Sequence, residues 1–311
     1  MTNSFLDSGS IKFCVFADIH YEPGQFPHST KEWLGRILAR AERESCDLVI
    51  HLGDLTHSPA RNIGYVNYYN DFRIPCYHTI GNHDDDQNSH EETLKAFRLE
   101  RGYYHFDRKG FRFVVMDTNY METGGVFTHY SNGNYYGKHD SSDRVPPEEL
   151  AWLERTLAES PYPCVITSHT SFERHRSGSP DGPAVRAIID AANAKRPGLV
   201  RLVLSGHFHR NFVRILHNVV YVDLASASYD FMGHPHDAYP KEVAKACLWG
   251  NHVIMWEDPL SAIVTLDGKG HIRFEGEKSR FFLGISPEQA GYPPLDGDSR
   301  PCRPEIDSFE I

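Results

Sequence analysis

Five short stretches carry the residue types that do chemistry, and each follows an apolar run. They are Asp18-Ile19-His20, Gly53-Asp54, Gly81-Asn82-His83-Asp84, His169, and Gly206-His207-Phe208-His209. The ligand-type side chains among them are Asp18, His20, Asp54, Asn82, His169, His207 and His209, oxygen and nitrogen donors with no thiolate. Such a set suits a first-row divalent ion such as Mn, Fe, Zn, Ni or Co and argues against a cysteine-rich structural zinc site. Seven donors are too many for one tetrahedral site, but they fit two ions about 3.5–4 Å apart when one carboxylate bridges them. Two divalent cations against two carboxylates leave a local charge of about +2, which draws a phosphate-type anion even on an acidic protein. Each stretch alone has an ordinary reading. Gly-Asp is a common turn pair, Asn-His-Asp makes a polar loop, and alternate histidines of a hairpin face water. Five together, all at strand ends, are hard to attribute to turns.

The elements that must position these residues are legible from pattern. Residues 11–17, 47–52, 76–80, 164–168 and 200–204 are rich in β-branched and aromatic side chains and read as buried strands. Their carboxyl ends deliver the five stretches, where open α/β sheets place their sites. In extended backbone, residues i and i+2 point the same way, so Asp18 and His20 can grip one ion. A helix is expected within 29–45, where Trp33, Leu34, Ile37, Leu38 and Ala41 recur at helical spacing behind a Ser29 or Thr30 N-cap. Strand, helix, strand in that order makes a right-handed parallel crossover. Further helices are expected over 61–72, 91–100, 147–157 and 184–194, and hairpins over 103–117, 212–223 and 263–274. Residues 119–144 are rich in Gly, Asn, Ser, Asp and Tyr without a steady period and read as a long functional loop. Residues 226–256 mix aromatics, His and Gly and give no assignable pattern. Residues 276–311, with Pro293, Pro294 and Pro301, read as a C-terminal surface tail. With no internal repeat or clear linker, residues 1–311 are expected to form a single domain.

Composition narrows the partners. The net charge is −10 with no basic run, so a surface built to grip nucleic acid is not expected. Nineteen histidines are many, and histidine is the commonest metal ligand. The cysteines at 14, 46, 76, 164, 247 and 302 form no C-x-x-C pair and are expected to be reduced, in a cytoplasmic chain. The first ten residues, MTNSFLDSGS, lack the basic and apolar regions of a signal peptide. No stretch of about 18 apolar residues is present to span a membrane.

In order and spacing, D-x-H (Asp18, His20), G-D (Gly53, Asp54), G-N-H-D (81–84), the lone His169 and G-H-x-H (Gly206, His207, His209) resemble the calcineurin-like metallophosphoesterase family. The resemblance covers roughly residues 11–223. It implies an α/β fold, a four-layer α/β/β/α sandwich of two mixed β-sheets flanked by helices, with a dimetal centre where the loops of the sheets meet. By the resemblance, Asp18, His20, Asp54 and His209 hold one divalent ion. Asp54, Asn82, His169 and His207 hold the other, so Asp54 bridges. The expected cofactors are two divalent metal ions, Mn, Fe or Zn, and a metal-bridging hydroxide attacks phosphorus. His83 faces the leaving group as proton donor or electrostatic stabiliser, with Asp84 orienting its ring, and Asn82 and His83 contact substrate.

Size and layout are similar to small bacterial phosphodiesterases, which implies a small-molecule phosphodiester of cyclic nucleotide or glycerophosphodiester type. The alternatives on the same centre are a phosphomonoesterase or a nucleotide pyrophosphatase. A non-catalytic interaction protein is disfavoured because all seven donors and His83 are intact. Specificity is expected from 119–144 and 226–256, which carry Tyr120, Tyr130, Tyr135, Tyr136, Tyr229, Phe231 and Trp249. Two departures stand out. Many family members carry a His doublet where this chain has Ser168-His169-Thr170. Leu55-Thr56-His57 and Asp84 also differ from the Asp-Arg and Glu of the Ser/Thr protein phosphatase branch. Elsewhere, His51 is expected to be a satisfied core or second-layer histidine, His57 a loop-surface residue and Arg210 an exposed charge. Oligomeric state is left open.

Overall fold

A computed structural model describes residues 9–24, 31–174, 178–247, 249–293, 295–297 and 299–311. The chain opens with β1 (Ser10–Phe16), α1 (Lys31–Arg43), β2 (Leu48–His51), α2 (Ile63–Asn70), β3 (Cys76–His78) and α3 (His90–Phe97). Next come β4 (Tyr104–Arg108), β5 (Phe111–Val115), β6 (Tyr120–Thr123), β7 (Val126–His129), β8 (Ser141–Arg144), α4 (Pro147–Glu159), β9 (Cys164–Thr167) and α5 (Gly182–Lys195). The last third holds β10 (Val200–Ser205), β11 (Phe212–Leu216), β12 (Val219–Asp223), β13 (Tyr229–Phe231), α6 (Lys241–Ala246) and β14 (Val253–Met255). It closes with β15 (Ala262–Asp267), β16 (Ile272–Gly276) and β17 (Phe309–Glu310). The expected N-cap at Ser29 or Thr30 lies outside the described residues.

Two six-stranded sheets, ordered β17-β16-β15-β1-β2-β3 and β11-β12-β10-β9-β5-β4, face each other. Both are mixed: β1 runs parallel to β2 and antiparallel to β15, and β12 runs parallel to β10 and antiparallel to β11. Strand alternation explains the layering. In β1, Ile11, Phe13 and Val15 point into the space between the sheets, while Cys14 and Phe16 point outward under α1 and α2. In β12, Val220 and Val222 point inward and Val219 and Tyr221 outward, towards the layer of α4 and α5. Strands apolar on both faces must be covered on both faces, and the result is the α/β/β/α sandwich. Phe13 meets Phe113 edge-on across the sheet interface at 5.2 Å. Full burial of such a ring is worth roughly 1.5–3 kcal/mol.

Two expectations change, and one unassigned stretch gains structure. Residues 119–144 are not an unstructured loop, because β7-β6-β8 form a small antiparallel sheet. Its strands have no fully buried face, so no period-2 signal is written into them. Residues 226–256 contain the β13–β14 ribbon and α6, packed on a core of their own made by Tyr229, Tyr239, Cys247, Val253 and Met255. The segment 276–311 is not a surface tail. Tyr292, Cys302 and Ile306 enter the inter-sheet core, β17 extends the first sheet, and Arg300 is buried against Asp223 and Glu173. Irregular backbone carries no apolar period, so this burial leaves no trace in the pattern.

Candidate metal centre

The donors sit where the strands stop. Asp18 and His20 follow β1, Asp54 follows β2, Asn82 and His83 follow β3, His169 follows β9, and His207 and His209 follow β10. The backbone there is not extended, contrary to the expectation for Asp18 and His20. Asp18, His20, Asp54, His207 and His209 all have left-handed φ, between 51° and 69°. A non-glycine residue there costs roughly 1–2 kcal/mol, and such strain gathers at functional sites. The strained loops brace one another: Asp18 N–H donates to Gly53 O and His20 N–H to Asp54 O, both at 3.0 Å. Two motif glycines are there for space. A Cβ on Gly81 would lie 2.2 Å from Asp54 Oδ1, and one on Gly53 (φ +100°) would lie 2.3 Å from His169 Nδ1.

All seven side chains are brought together. His20 Nε2 lies 3.1 Å from His209 Nε2, and Asp18 Oδ1 lies 3.4 Å from His209 Nε2. In the second group, Asn82 Oδ1 lies 3.0 Å from both His169 Nε2 and His207 Nδ1, which are themselves 3.1 Å apart. Asp54 joins the groups, its Oδ2 3.3 Å from His169 Nε2 and 3.7 Å from His20 Nε2. Bonds of about 2.0–2.1 Å to one ion place neighbouring nitrogen or oxygen ligands about 3.0–3.4 Å apart. Most of the observed spacings fall in or near that range, so the donor set fits two divalent ions. Carbonyl oxygens fix the ring directions: His169 Nδ1 donates to Leu52 O and His209 Nδ1 to Tyr229 O, both at 2.7 Å, which turns each Nε2 inward.

The G-N-H-D turn works differently from expectation. Asp84 does not touch the His83 ring. Its carboxylate accepts backbone N–H groups of Asp54, Leu55, Thr56 and Gly81 at 2.9–3.1 Å, pinning the second motif to the third. The ring of His83 is held instead by Asp86, whose Oδ2 accepts from His83 Nδ1 at 2.7 Å and from His57 Nδ1 at 2.8 Å. Asp86 Oδ1 accepts from the Tyr135 hydroxyl at 2.5 Å. His57 is thus buried beside the centre and not on a loop surface. His51 is satisfied by His78 at 2.7 Å, as expected. Arg210 is buried, not exposed, and is tied to Asp230 and to Arg300 O. Sequence reading missed Asp86 and the contact of Tyr135. The one signal was the run of three carboxylates at 84–86, which spacing alone cannot divide into roles.

A further histidine–carboxylate group, Asp85, His90 and His129, stands apart from the seven. His129 donates from both ring nitrogens, to Asp117 Oδ2 at 2.7 Å and to Tyr130 O at 2.9 Å, and has no lone pair left for an ion.

Burial and the carboxylates pull the imidazoles of the centre in opposite directions. Burial pushes His169 down, but Asp54 outweighs it and raises the imidazole to about 10. Burial also opposes His209 and His83, yet Asp18 raises the first, and Asp54 with Asp86 raises the second. For His20 burial prevails, and the ring is held low. Burial would raise Asp86, but His57 and His83 hold it down at about 2. A raised imidazole keeps its proton below the raised pKa, and a metal ligand must be neutral. Metal uptake at pH 7 is therefore expected to release at least one proton. Apparent affinity should weaken about tenfold per pH unit per proton as pH falls. Calorimetry in buffers of different ionisation enthalpy measures the release, and uptake without any would contradict this electrostatic picture.

The model of the calcineurin-like phosphoesterases matches residues 11–211. The chain belongs to the calcineurin-like phosphoesterase family. Membership makes it a metal-dependent phosphoester hydrolase by class, with His and Asp clusters able to hold the family's metal pair. A 3′,5′-cyclic-nucleotide phosphodiesterase of Nostoc sp. is 27% identical over 214 residues, 65% of this chain and 71% of that protein. A probable cyclic nucleotide phosphodiesterase of Synechococcus sp. is 24% identical over 186 residues, 57% of this chain and 64% of its own length. Among solved structures, a dimetal phosphatase from Danio rerio superposes with a TM-score of 0.58 at 15% identity, covering 86% of this chain and 95% of that one. At that identity the likeness speaks for the fold. None of the described helices is long and apolar enough to cross a membrane.

Proposed function

We propose that this calcineurin-like phosphoesterase hydrolyses a small-molecule phosphodiester, of cyclic nucleotide or glycerophosphodiester type, on a pair of divalent ions. The observation that carries the reading is the seven-donor cluster in two groups joined by Asp54, beside a histidine whose ring is anchored by Asp86. Asp18, His20, Asp54 and His209 would hold one ion, and Asp54, Asn82, His169 and His207 would hold the other. Mn, Fe and Zn all suit these ligands. When bound, such a pair lowers the pKa of water and offsets charge on the phosphoryl oxygens.

The chain's own groups do the rest. Asp84 ties the Asn82-His83 turn to Asp54 through backbone hydrogen bonds and so sets the distance between donors and His83. Asp86 fixes the His83 ring at Nδ1, which leaves Nε2 to give a proton to the departing alkoxide. The side chain of His83 is 26% exposed, open enough to meet substrate. The names of the Nostoc and Synechococcus relatives support a diester over a monoester. Six free thiols, five of them buried, support a reducing compartment such as the cytoplasm.

The test compares a chromogenic diester with its matching monoester on metal-free protein refilled with Mn. A kcat/KM preference for the diester is expected. Faster turnover of the monoester would move the reading to a phosphomonoesterase, and turnover of neither would turn attention to nucleotide pyrophosphates.

A further inference from the structure

Three tyrosines from the 119–144 segment form a ladder that begins in the protein and ends in water beside His83. Tyr130 is 1% exposed and its ring lies 4.5 Å from that of Tyr135, at 28°. Tyr135 lies 4.3 Å from Tyr136, at 33°, and Tyr136 is 66% exposed. The middle rung is fixed. Its hydroxyl donates to Asp86 Oδ1 at 2.5 Å and accepts from Asn82 Nδ2 at 3.1 Å, while its carbonyl accepts from His139 Nε2 at 3.0 Å. The turn that carries the two outer rungs is fixed as well. Gly133 supplies a left-handed φ of +65° at its start, and Asn134 bridges Ser131 N–H and His129 O, both at 3.0 Å. The last ring is therefore held in place although most of it faces solvent. Its hydroxyl lies 3.4 Å from His83 Nδ1, which sets the ring at the edge of the metal centre.

An ordered, water-exposed aromatic face at the end of a stack is an open place for one more ring. With the hydroxyl turned to His83, the open face offers no hydrogen bond to a polyhydroxyl group such as glycerol. It offers a flat π-surface, which suits a planar base and tolerates any base. We infer that the outer face of Tyr136 is a stacking subsite for the base of a nucleotide-type diester whose phosphate lies at the metal centre. This rests on the phosphodiesterase reading and narrows it from small diesters in general to those carrying a ring. Tyr135 acts as a positioning residue: through Asp86 and Asn82 it ties the subsite to the groups that meet the phosphate.

The experiment uses Mn-loaded protein with adenosine 3′,5′-cyclic monophosphate and with glycerophosphoethanolamine, a diester without a ring. Tyr136→Ala is expected to raise KM for the cyclic nucleotide roughly tenfold. The KM of the ringless diester should rise much less than that of the cyclic nucleotide, and Tyr136→Phe, which keeps the ring, should keep the wild-type ratio of the two KM values. An equal KM rise for both diesters in Tyr136→Ala, or no rise for either, would overturn the subsite. If wild-type protein turns over neither diester, the phosphodiesterase reading fails, and binding then decides the subsite separately. Calorimetry with adenosine 5′-monophosphate and ribose 5-phosphate should show tighter binding of the first, lost in Tyr136→Ala. Equal affinities would reject the subsite.

Discussion

Asp54→Ala is expected to take the protein from two bound ions to none and its turnover to background. Asp54 lies within 4 Å of ring nitrogens in both groups, reaching His169 Nε2 on one side and His20 Nε2 on the other. Its loss removes a negative charge shared by both cations. Without it, like charges a few ångströms apart face each other with no bridge. Neutral Asp54→Asn keeps the shape and should fail almost as badly, which separates charge from packing. A second readout needs no metal. Asp54 raises His169 against its burial, so in metal-free Asp54→Ala the His169 ring should titrate well below the value of about 10 that Asp54 imposes. Metal content by emission spectroscopy and His169 titration by NMR check the two halves. Retention of one tightly held ion would show that the bridge is not Asp54.

His83→Ala is expected to keep both ions and to lower kcat by about 10²- to 10⁴-fold, the usual worth of a positioned proton donor. The link between His83 and Asp54 runs through the backbone, His83 N–H to Asp54 Oδ1 at 2.8 Å, and alanine preserves it. What disappears is the imidazole that Asp86 holds at 2.7 Å and whose pKa, lowered by burial, is raised on balance by Asp54 and Asp86. The loss should depend on the leaving group. An alkyl ester needs a proton on its departing oxygen, whereas a 4-nitrophenyl ester scarcely does, so the defect should be large for the first and small for the second. Asp86→Asn should give the same pattern more weakly, since the ring remains but loses its anchor. An equal defect on both esters would remove His83 from the role of proton donor, and loss of metal would make it a ligand.

Strand ends were legible because a buried strand writes its own pattern. Ile11 to Ala17 is apolar on both faces, so Asp18 and His20 just beyond its end are conspicuous by contrast. The seven donors were found this way, and all seven meet in space. The division of labour inside 81–86 was not legible. Asp84, Asp85 and Asp86 are identical in composition, and a tight 3₁₀ turn over 82–85 aims them in different directions. One pins the backbone, one faces Thr93 and His90, and one holds His83 and His57. His57 was hidden for a similar reason, since three residues past Asp54 tell nothing of a partner 29 positions away. The 119–144 sheet and the 276–311 segment were missed because their order comes from tertiary contact. Tyr135 against Asp86 and Arg300 against Asp223 and Glu173 leave no period in the chain.

The most direct test of the account is anomalous diffraction at the manganese edge from crystals of the Mn-refilled protein. Two peaks about 3.5–4 Å apart are predicted, with Asp54 between them. One should lie against Asp18, His20 and His209, and the other against Asn82, His169 and His207. A single peak, or density at Asp85, His90 and His129 in place of these, would contradict it.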